Sequence, residues 1–277
     1  MRSTALRILA LLVLAGCEGS LSASVEVGLT CATLEREAGA VVIEGDLRFA
    51  SAEDARAFLD DQESGATEQR LVLGVDEPVD TTLPLPLRQD LTYCVSADFG
   101  EAREAVVRGA LRASEMWSSA VDVRFRLTEP ERCETRGVDA HLVILPSCSA
   151  GIAVAEGMLP YRSGREGQEI EINTCHPDYG GFVESDDAMA RILLHELGHV
   201  LGFLHAWNTD DYDGICGCSS SIRFRPLSGY DPGSIMNYPS CGATWDLFDP
   251  PALTEQDRAD AQSVYCAPGE GPPPCGS

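Results

Sequence analysis

Three histidines and a glutamate stand close together in one run of the chain, His195-Glu196-Leu197-Gly198-His199-Val200-Leu201-Gly202-Phe203-Leu204-His205. His195 and His199 are four residues apart, so on a helix both imidazoles would project from one face, about one turn apart. Two such nitrogens can bind one tetrahedral zinc ion. Gly202 stands where the helix must end, because glycine tolerates the positive φ that a sharp exit needs. That exit would bring His205 back as a third ligand.

The same run supplies a general base. Three protein ligands leave the fourth position of a tetrahedral zinc ion open to water, which distinguishes a catalytic site from a structural one. Glu196, next to the first ligand, could accept a proton from that water and later pass it to a leaving amine. The chain has 5 histidines and 26 glycines, and the fixed positions of this pattern would coincide by chance on the order of once in 10⁵. The sequence therefore predicts one catalytic zinc ion.

Strand and helix patterns alternate around this motif. Apolar residues recur at three- and four-residue spacing before Trp117, which predicts an amphipathic helix. Ser185 is a candidate N-cap for the helix that carries the histidines, and Thr254 with Asp257 forms an approximate capping box. The predicted helices are Glu101–Ala120, Ser185–Leu201 and Thr254–Tyr265, and the predicted strands are Leu91–Val95, Val121–Leu127, Ala140–Leu145, Gly151–Ala155 and Glu169–Asn173. This order predicts an α/β fold: a mixed, mostly parallel sheet packed with an active-site helix and a backing helix, and a small C-terminal subdomain.

The first residues are typical of an export signal. Arg2 and Arg7 precede a short apolar run, residues 8–15, which is too short to span a bilayer as a mature helix. The run ends in Leu-Ala-Gly before Cys17, which resembles the bacterial lipobox, in which the cysteine is lipidated and becomes the new N-terminus. The alternative is an ordinary secretory signal cut near Ala23. We expect an exported protein that is anchored to the lipid bilayer of the cell envelope through Cys17.

Cysteine content agrees with export. The chain has 11 cysteines, and the ten that remain besides Cys17 form an even set, as expected for disulfides in an oxidising compartment. A zinc ribbon at Cys216 and Cys218 is poorly supported, because the spacing is a single residue and no second pair matches it. The sequence does not give the disulfide pairing.

The net charge indicates which classes of binding partner are unfavourable. The formal charge of −24 argues against nucleic acid or an anionic membrane surface as the main partner. An acidic surface could favour cationic substrates, or it could simply keep the protein solvated. The sequence gives no oligomeric state.

Composition also divides the chain into segments. After the signal, residues 1–17, an acidic segment spans residues 18–88, with a strand-like run at Ala40–Ile43 and a helix-like run at Ser51–Asp61. Its last part, Asp76–Leu87, carries three prolines and is typical of an extended linker. We interpret residues 18–88 as a pro-segment and linker, residues 89–266 as the catalytic domain and residues 267–277 as a Pro/Gly-rich tail.

The zinc motif with a downstream methionine is the signature of the metzincin peptidases, and the chain resembles them over roughly residues 89–266. The candidate Met-turn is Ser234–Tyr238, about thirty residues after His205. The resemblance implies that Met236 forms a hydrophobic floor beneath the three imidazoles. It also implies that Tyr238, placed as in astacins and serralysins, can touch zinc and swing aside to stabilise the oxyanion. A structural tyrosine with a hydrogen-bonded hydroxyl is the alternative.

Subfamily details are mixed. Gly202-Phe203 is similar to astacins, but Ala206 replaces the glutamate that astacins carry after the third histidine, and the helix before Trp117 is similar to matrixins as well as astacins. The resemblance implies zinc-dependent cleavage of protein or peptide substrates in either case. It also implies that the Gly151–Ala155 edge strand binds the substrate backbone in extended form.

A hypothesis about latency rests on the run Ile43-Glu44-Gly45-Asp46. It resembles the astacin pro-segment motif, in which an aspartate occupies the open position of the zinc ion. The alternative is a strand that ends in a Gly-Asp turn. A cysteine switch through Cys31 is less attractive, because it would leave an unpaired thiol, whereas a disulfide from Cys31 into the main domain would leave none.

The other candidate ligands have weaker patterns. His141 lies in a predicted strand and His176 in a predicted loop, and neither stands at ligand spacing. The oxygens of Asp210–Gly214 could bind calcium, although the pattern favours a solvated acidic loop.

Two rival functions remain open. The chain could be a zinc-containing surface lipoprotein that binds a partner and cuts nothing, but the intact Glu196 argues against a purely structural site. It could also hydrolyse a non-protein amide such as cell-wall peptide, which the sequence does not exclude.

Overall fold

The computed structural model describes residues 34–35, 41–43, 46–57, 83–134, 140–148, 153–160, 167–207 and 227–270. Its framework is one mixed sheet in the order β1-β2-β3-β7-β8-β6-β4-β5. The pairs β4–β5, β4–β6, β6–β8 and β3–β7 are parallel, and β1–β2, β2–β3 and β7–β8 are antiparallel. The strands are β1 Leu34–Glu35, β2 Val41–Ile43, β3 Leu47–Phe49, β4 Leu91–Val95, β5 Phe125–Leu127, β6 Leu142–Ser147, β7 Ala155–Met158 and β8 Gln168–Asn173. The predicted α/β fold class with a mixed sheet is confirmed.

The helices cover one face of the sheet. They are α1 Leu85–Gln89, α2 Arg103–Ala120, α3 Tyr179–Glu184, α4 Asp186–Val200 and α5 Glu255–Tyr265. The backing helix α2 and the histidine-bearing helix α4 pack side by side, and the indole N–H of Trp117 on α2 donates to the carbonyl of Leu194 on α4 (2.9 Å). Ile170 and Ile172 of β8 are fully buried in the same core. This bond and core fix the height and rotation of α4 above the strands.

Two predicted strands differ from the structure. The segment predicted as strand Val121–Leu127 is a strand only from Phe125, because the Val121 N–H instead donates to Trp117 and closes helix α2. The predicted strand Gly151–Ala155 does not have the observed bounds: Ala153 and Val154 are not in a strand, β7 begins at Ala155 and ends at Met158, and residues 151–152 lie outside the described residues. Residues 155–158 include no β-branched side chain, so their extended form comes from pairing with β8 and β3 and not from propensity.

Residues from the predicted pro-segment join the sheet edge. Strands β1 to β3, all within residues 34–49, extend the sheet beyond β7, and β3 runs parallel to it with Leu47 opposite Gly157. Residues 52–57 are helical, within the predicted run from Ser51 to Asp61, and residues 58–61 of that run lie outside the described residues. Without these three strands, β7 would be an edge strand with unpaired backbone groups.

Disulfides brace the periphery of the sheet. Cys94 is bonded to Cys133, and Cys148 to Cys175. The predicted presence of disulfides is therefore confirmed. Among the described residues, no helix combines the length and apolar character needed to cross a membrane.

Candidate metal centre

Helix α4 presents two of the histidines. Its N-terminus is capped by the Ser185 side chain, which accepts the N–H of Ala188, and two aspartates in the first turn suit the helix dipole. The helix ends at Val200, and Gly202 follows with φ 94°. This left-handed conformation favours glycine and turns the chain sharply. The N–H of Ala206 then donates to the carbonyl of Met236 (2.7 Å), which ties the segment carrying His205 to the Met-turn.

The turn brings the three predicted zinc ligands together with Asp46. One ligand atom from each of His195, His199, His205 and Asp46 can be chosen so that all lie within 4.8 Å of one another. All four residues are buried. The Nε2 atoms of His195 and His199 are 3.1 Å apart. Oδ2 of Asp46 lies 3.1 Å from the first and 3.5 Å from the second, and Oδ1 lies 2.9 Å from Nε2 of His205.

Hydrogen bonds on the far side of the rings show that this cluster fits a cation. The Nδ1–H of His195 donates to the carbonyl of Ile235, and that of His199 donates to the carbonyl of Phe203 (both 2.7 Å). These bonds fix the tautomer, so each neutral ring directs the lone pair of Nε2 into the centre. Burial also lowers the pKa of His199 to about 4, which keeps the ring neutral near pH 7. Converging lone pairs beside a carboxylate repel one another unless a cation lies between them, and imidazole nitrogens suit zinc. The buried cluster fits one zinc ion.

Asp46 comes to this centre from the predicted pro-segment. It lies in the turn before β3, and its carbonyl accepts the N–H of Gly157 on β7 (2.9 Å). Burial by itself would raise the pKa of Asp46, but the facing histidines hold it well below its usual range. The carboxylate is therefore ionised at neutral pH and stands where a fourth ligand would stand. Glu44 and Gly45 of the predicted latency motif lie outside the described residues.

Glu196 lies between the metal cluster and strand β7. Its Oε2 atom is buried and has no hydrogen-bond partner in the described part of the chain. Burial raises the pKa of Glu196 well above its usual range, and the nearby charges of Asp46 and Glu156 raise it further. A buried carboxylate with a spare acceptor is suited to taking a proton from a group that enters the site.

The Met-turn packs beneath the helix. Met236 is buried, and its side chain lies against Gly198, between the two helical ligands, so closely that a Cβ at Gly198 would collide with the sulfur. Tyr238 is half-buried, with its ring centroid 5.2 Å from that of His195 and 5.0 Å from that of His205. The tyrosine therefore stands beside the ligand rings.

Two further contributors are absent from the sequence predictions. The Trp207 indole stacks on His205 with centroids 4.0 Å apart and so fixes the plane of the third ligand. Asp257 does more than cap α5, because its carboxylate also accepts the hydroxyl of Ser234 (2.6 Å) and the N–H of Ile235 (3.1 Å). Since Ile235 in turn accepts from His195, Asp257 acts on the first ligand through the Met-turn. For Trp207 the only signal in the sequence was an aromatic residue two positions after His205.

A close approach at Gly157 yields a stability prediction. A Cβ there would lie 2.7 Å from Oε2 of Glu196, 3.0 Å from Cβ of His199 and 3.1 Å from the Glu196 carbonyl. We expect Gly157→Ala to lower the free energy of unfolding by about 1–3 kcal/mol, the usual cost of overpacking, and to weaken zinc retention. Thermal unfolding and bound-zinc analysis measure both. The control is Gly180→Ala in α3, where a Cβ would meet nothing within 4 Å; equal effects of the two substitutions would contradict the prediction.

Other candidate residues lie away from this centre. His141 bonds through Nδ1 to the hydroxyl of Thr92 (2.9 Å), and Nδ1 of His176 accepts the N–H of Asp178 (3.2 Å). Each of these two histidine rings therefore has a hydrogen-bonding role away from the metal cluster. Cys17, Cys31 and the acidic loop Asp210–Gly214 lie outside the described residues.

Comparisons with known proteins agree with the zinc assignment. No family model matches the chain. The zinc metalloproteinase nas-3 of Caenorhabditis elegans is 37% identical over 70 residues, covering 21% of this chain and 24% of that protein. The chain thus spans about a quarter of the length of this curated relative.

Solved structures offer a weaker likeness. Myroilysin has a TM-score of 0.45 at 16% identity and covers 67% of this chain and 95% of its own. High choriolytic enzyme 1, a hatching-enzyme zinc protease from Oryzias latipes, has a TM-score of 0.40 at 17% identity and covers 66% and 92%. On its motif, its ligand geometry and its match to a zinc metalloproteinase, the chain resembles the metzincin zinc metallopeptidases.

Proposed function

We propose that the chain is a zinc-dependent endopeptidase that is exported, anchored by a lipid on Cys17 and held latent by its own pro-segment. The observation that carries the proposal is the position of Glu196: a buried carboxylate next to three convergent histidines and against β7, whose Oε2 atom has no hydrogen-bond partner among the described residues. A purely structural metal site has no use for such a base. The nas-3 match, to a protein named as a zinc metalloproteinase, supports the same class.

The chemistry divides between the metal and the protein. When bound, zinc supplies Lewis-acid polarisation of a peptide carbonyl and a lowered pKa for water. Glu196 accepts the proton of the attacking water and returns it to the departing amine. Tyr238, whose ring stands beside those of His195 and His205, donates its hydroxyl proton in a hydrogen bond to the developing oxyanion.

Strand β7 is the proposed docking edge for the substrate. Its bounds, Ala155–Met158, replace the predicted edge strand Gly151–Ala155. In the structure this edge is occupied by β3, whose neighbour Asp46 bonds to Gly157 and reaches the three histidines. Residues 18–88 are therefore proposed to act as an inhibitory pro-segment that blocks both the backbone edge and the metal, and residues 89–266 as the catalytic domain. Removal of the segment frees both.

Localisation forms part of the same proposal. A lipid on Cys17 would hold the enzyme at the cell envelope. The end of the predicted linker is not extended, because Leu83 is fully buried and Leu85–Gln89 is helical. We therefore place the cut in residues 76–82, where it would release the catalytic domain unless a disulfide tethers it. Disulfides at Cys94–Cys133 and Cys148–Cys175 are consistent with an oxidising compartment.

The test uses purified residues 18–277 with zinc, before and after a cut in the linker. A broad peptide library and purified peptidoglycan serve as separate substrates. We expect cuts in peptides that a chelator abolishes and added zinc restores. Cleavage of peptidoglycan alone would replace the endopeptidase by a cell-wall amide hydrolase. If zinc-loaded protein cuts neither substrate in either form, the enzyme proposal fails and a binding function takes its place.

A further inference from the structure

Arg48 of the pro-segment is bound by a cluster of three glutamates from the catalytic domain. One guanidinium nitrogen lies 3.1 Å from Glu169 and the other pairs with Glu171 and lies 4.0 Å from Glu156. Arg48 is 8% exposed, and Glu156 and Glu169 are 3% exposed. This glutamate cluster is therefore a built, buried receptor that already holds a guanidinium group.

The cluster belongs to the strands that would face a substrate. Glu156 lies on β7 directly opposite Glu171 on β8. Gly157, the next residue of β7, faces the metal helix, so Glu156 faces the other side of the sheet. Glu169 and Glu171 alternate with the core residues Ile170 and Ile172 and share that side. The glutamate cluster thus lies behind the docking edge, within reach of a side chain from any strand paired with β7.

The Nε atom of Arg48 adds an independent observation. It is buried, and no acceptor within the described part of the chain bonds to it. Arg48 therefore fills the glutamate cluster without satisfying all of its own donors. A guanidinium that arrives on a different backbone could bind the same carboxylates with a better fit.

Loss of the pro-segment would leave the glutamates without this cation. The three carboxylates lie within residues 89–266, whereas Arg48 lies within residues 18–88. Loss of a buried cationic partner costs free energy, so the three carboxylates would favour a new cation in the place of Arg48 or admit water. A peptide that takes the place of β3 on β7 directs alternate side chains to the two faces of the sheet, and one of them would point to the cluster.

We propose that Glu156, Glu169 and Glu171 form a specificity subsite for a basic side chain of the substrate, with arginine preferred over lysine. The proposal rests on the endopeptidase function above. Arginine is favoured because its planar fork can bind several carboxylates at once. Since Arg48 is two residues from Asp46, the preferred side chain lies about two residues from the bond that is cut.

The test uses the zinc-loaded protein of residues 18–277 with two substitutions, Asp46→Ala and Arg48→Ala. Neither of these side chains then holds β3 on β7. Fluorogenic peptides carry arginine at each of the three positions on either side of the cut, and matched peptides carry citrulline, which has nearly the same shape and no charge. At one position we expect arginine to raise kcat/KM over citrulline by at least about tenfold, which corresponds to about 1.4 kcal/mol. In a further Glu169→Gln, Glu171→Gln variant the ratio should fall to within about twofold of one. Equal cleavage of both peptides at every position by the intact cluster would overturn the subsite, and this comparison does not depend on the folding of the glutamine variant.

A binding measurement separates this subsite from the proposed function. The same peptides are titrated into the Glu196→Ala form by fluorescence polarisation, which needs no cleavage. If no peptide is cut but arginine peptides still bind at least about tenfold more tightly than citrulline peptides, the endopeptidase fails and the guanidinium site stands. Equal binding of both series would overturn the site whatever the activity.

Discussion

Replacing Glu196 with glutamine should lower kcat/KM for peptide cleavage by about 10²- to 10⁴-fold, the usual contribution of a general base. Glutamine keeps the size of the side chain that stands against Gly157 but cannot accept a proton. Bound zinc should not change, because the three histidines remain and the Nδ1–H bonds of His195 and His199 to backbone carbonyls are untouched. Kinetics on a cleavable peptide and metal analysis on the same sample make the measurement.

A histidine variant gives the matched control for Glu196. His199→Ala removes a ligand whose ring is fully buried, so zinc and activity should be lost together. Glu196→Gln should lose activity alone. Full activity in the zinc-loaded Glu196→Gln protein would show that this carboxylate is not the base and would remove the main support for the enzyme proposal.

Replacing Asp46 with alanine should raise the activity of the uncut protein by at least about tenfold. The Asp46 carboxylate lies 2.9–3.5 Å from the three Nε2 atoms, where it would compete with water and substrate for the metal. Removing it frees that position, although β3 still covers part of the docking edge. Activity is measured on protein shown by electrophoresis to be uncut, beside wild type that has been cut in the linker.

Asp54→Ala is the control for Asp46. Asp54 lies in the same pro-segment and accepts the hydroxyl of Ser51 (2.9 Å), so its loss should leave the activity of the uncut protein at the wild-type level. The latency hypothesis is rejected if Asp46→Ala is no more active than wild type, and equally if Asp54→Ala activates to the same extent.

Local spacing made the helical part of the centre predictable. The four-residue separation of His195 and His199 selects one helix face whatever surrounds it, and Ser185 caps that helix as its position indicated. Gly202 takes the positive φ that its place after the helix requires. These features depend on backbone geometry within a few residues, which is why the sequence contained them.

The strand propensity of the residues predicted the strands of the sheet less well. Strand Leu91–Val95 has the predicted bounds, because its aromatic and β-branched residues suit a strand on their own. Strand Ala155–Met158 does not, and its conformation follows from the neighbours on both sides. A strand of that kind can be predicted only when the strands that pair with it are known.

The sequence by itself determined the ligand types, their helical spacing, the adjacent base and the α/β class, because each of these depends on residue chemistry or on local periodicity. Only the tertiary structure decided which distant groups meet them. Asp257 holds the Met-turn from helix α5, and Arg48 enters the glutamate cluster through pairing of β3 with β7. Asp46, which a family resemblance but no spacing rule had suggested, reaches His195 across 149 residues of chain. Contacts of this kind form when the chain folds back on itself to bury its core, and no local pattern encodes which distant residues will then be neighbours.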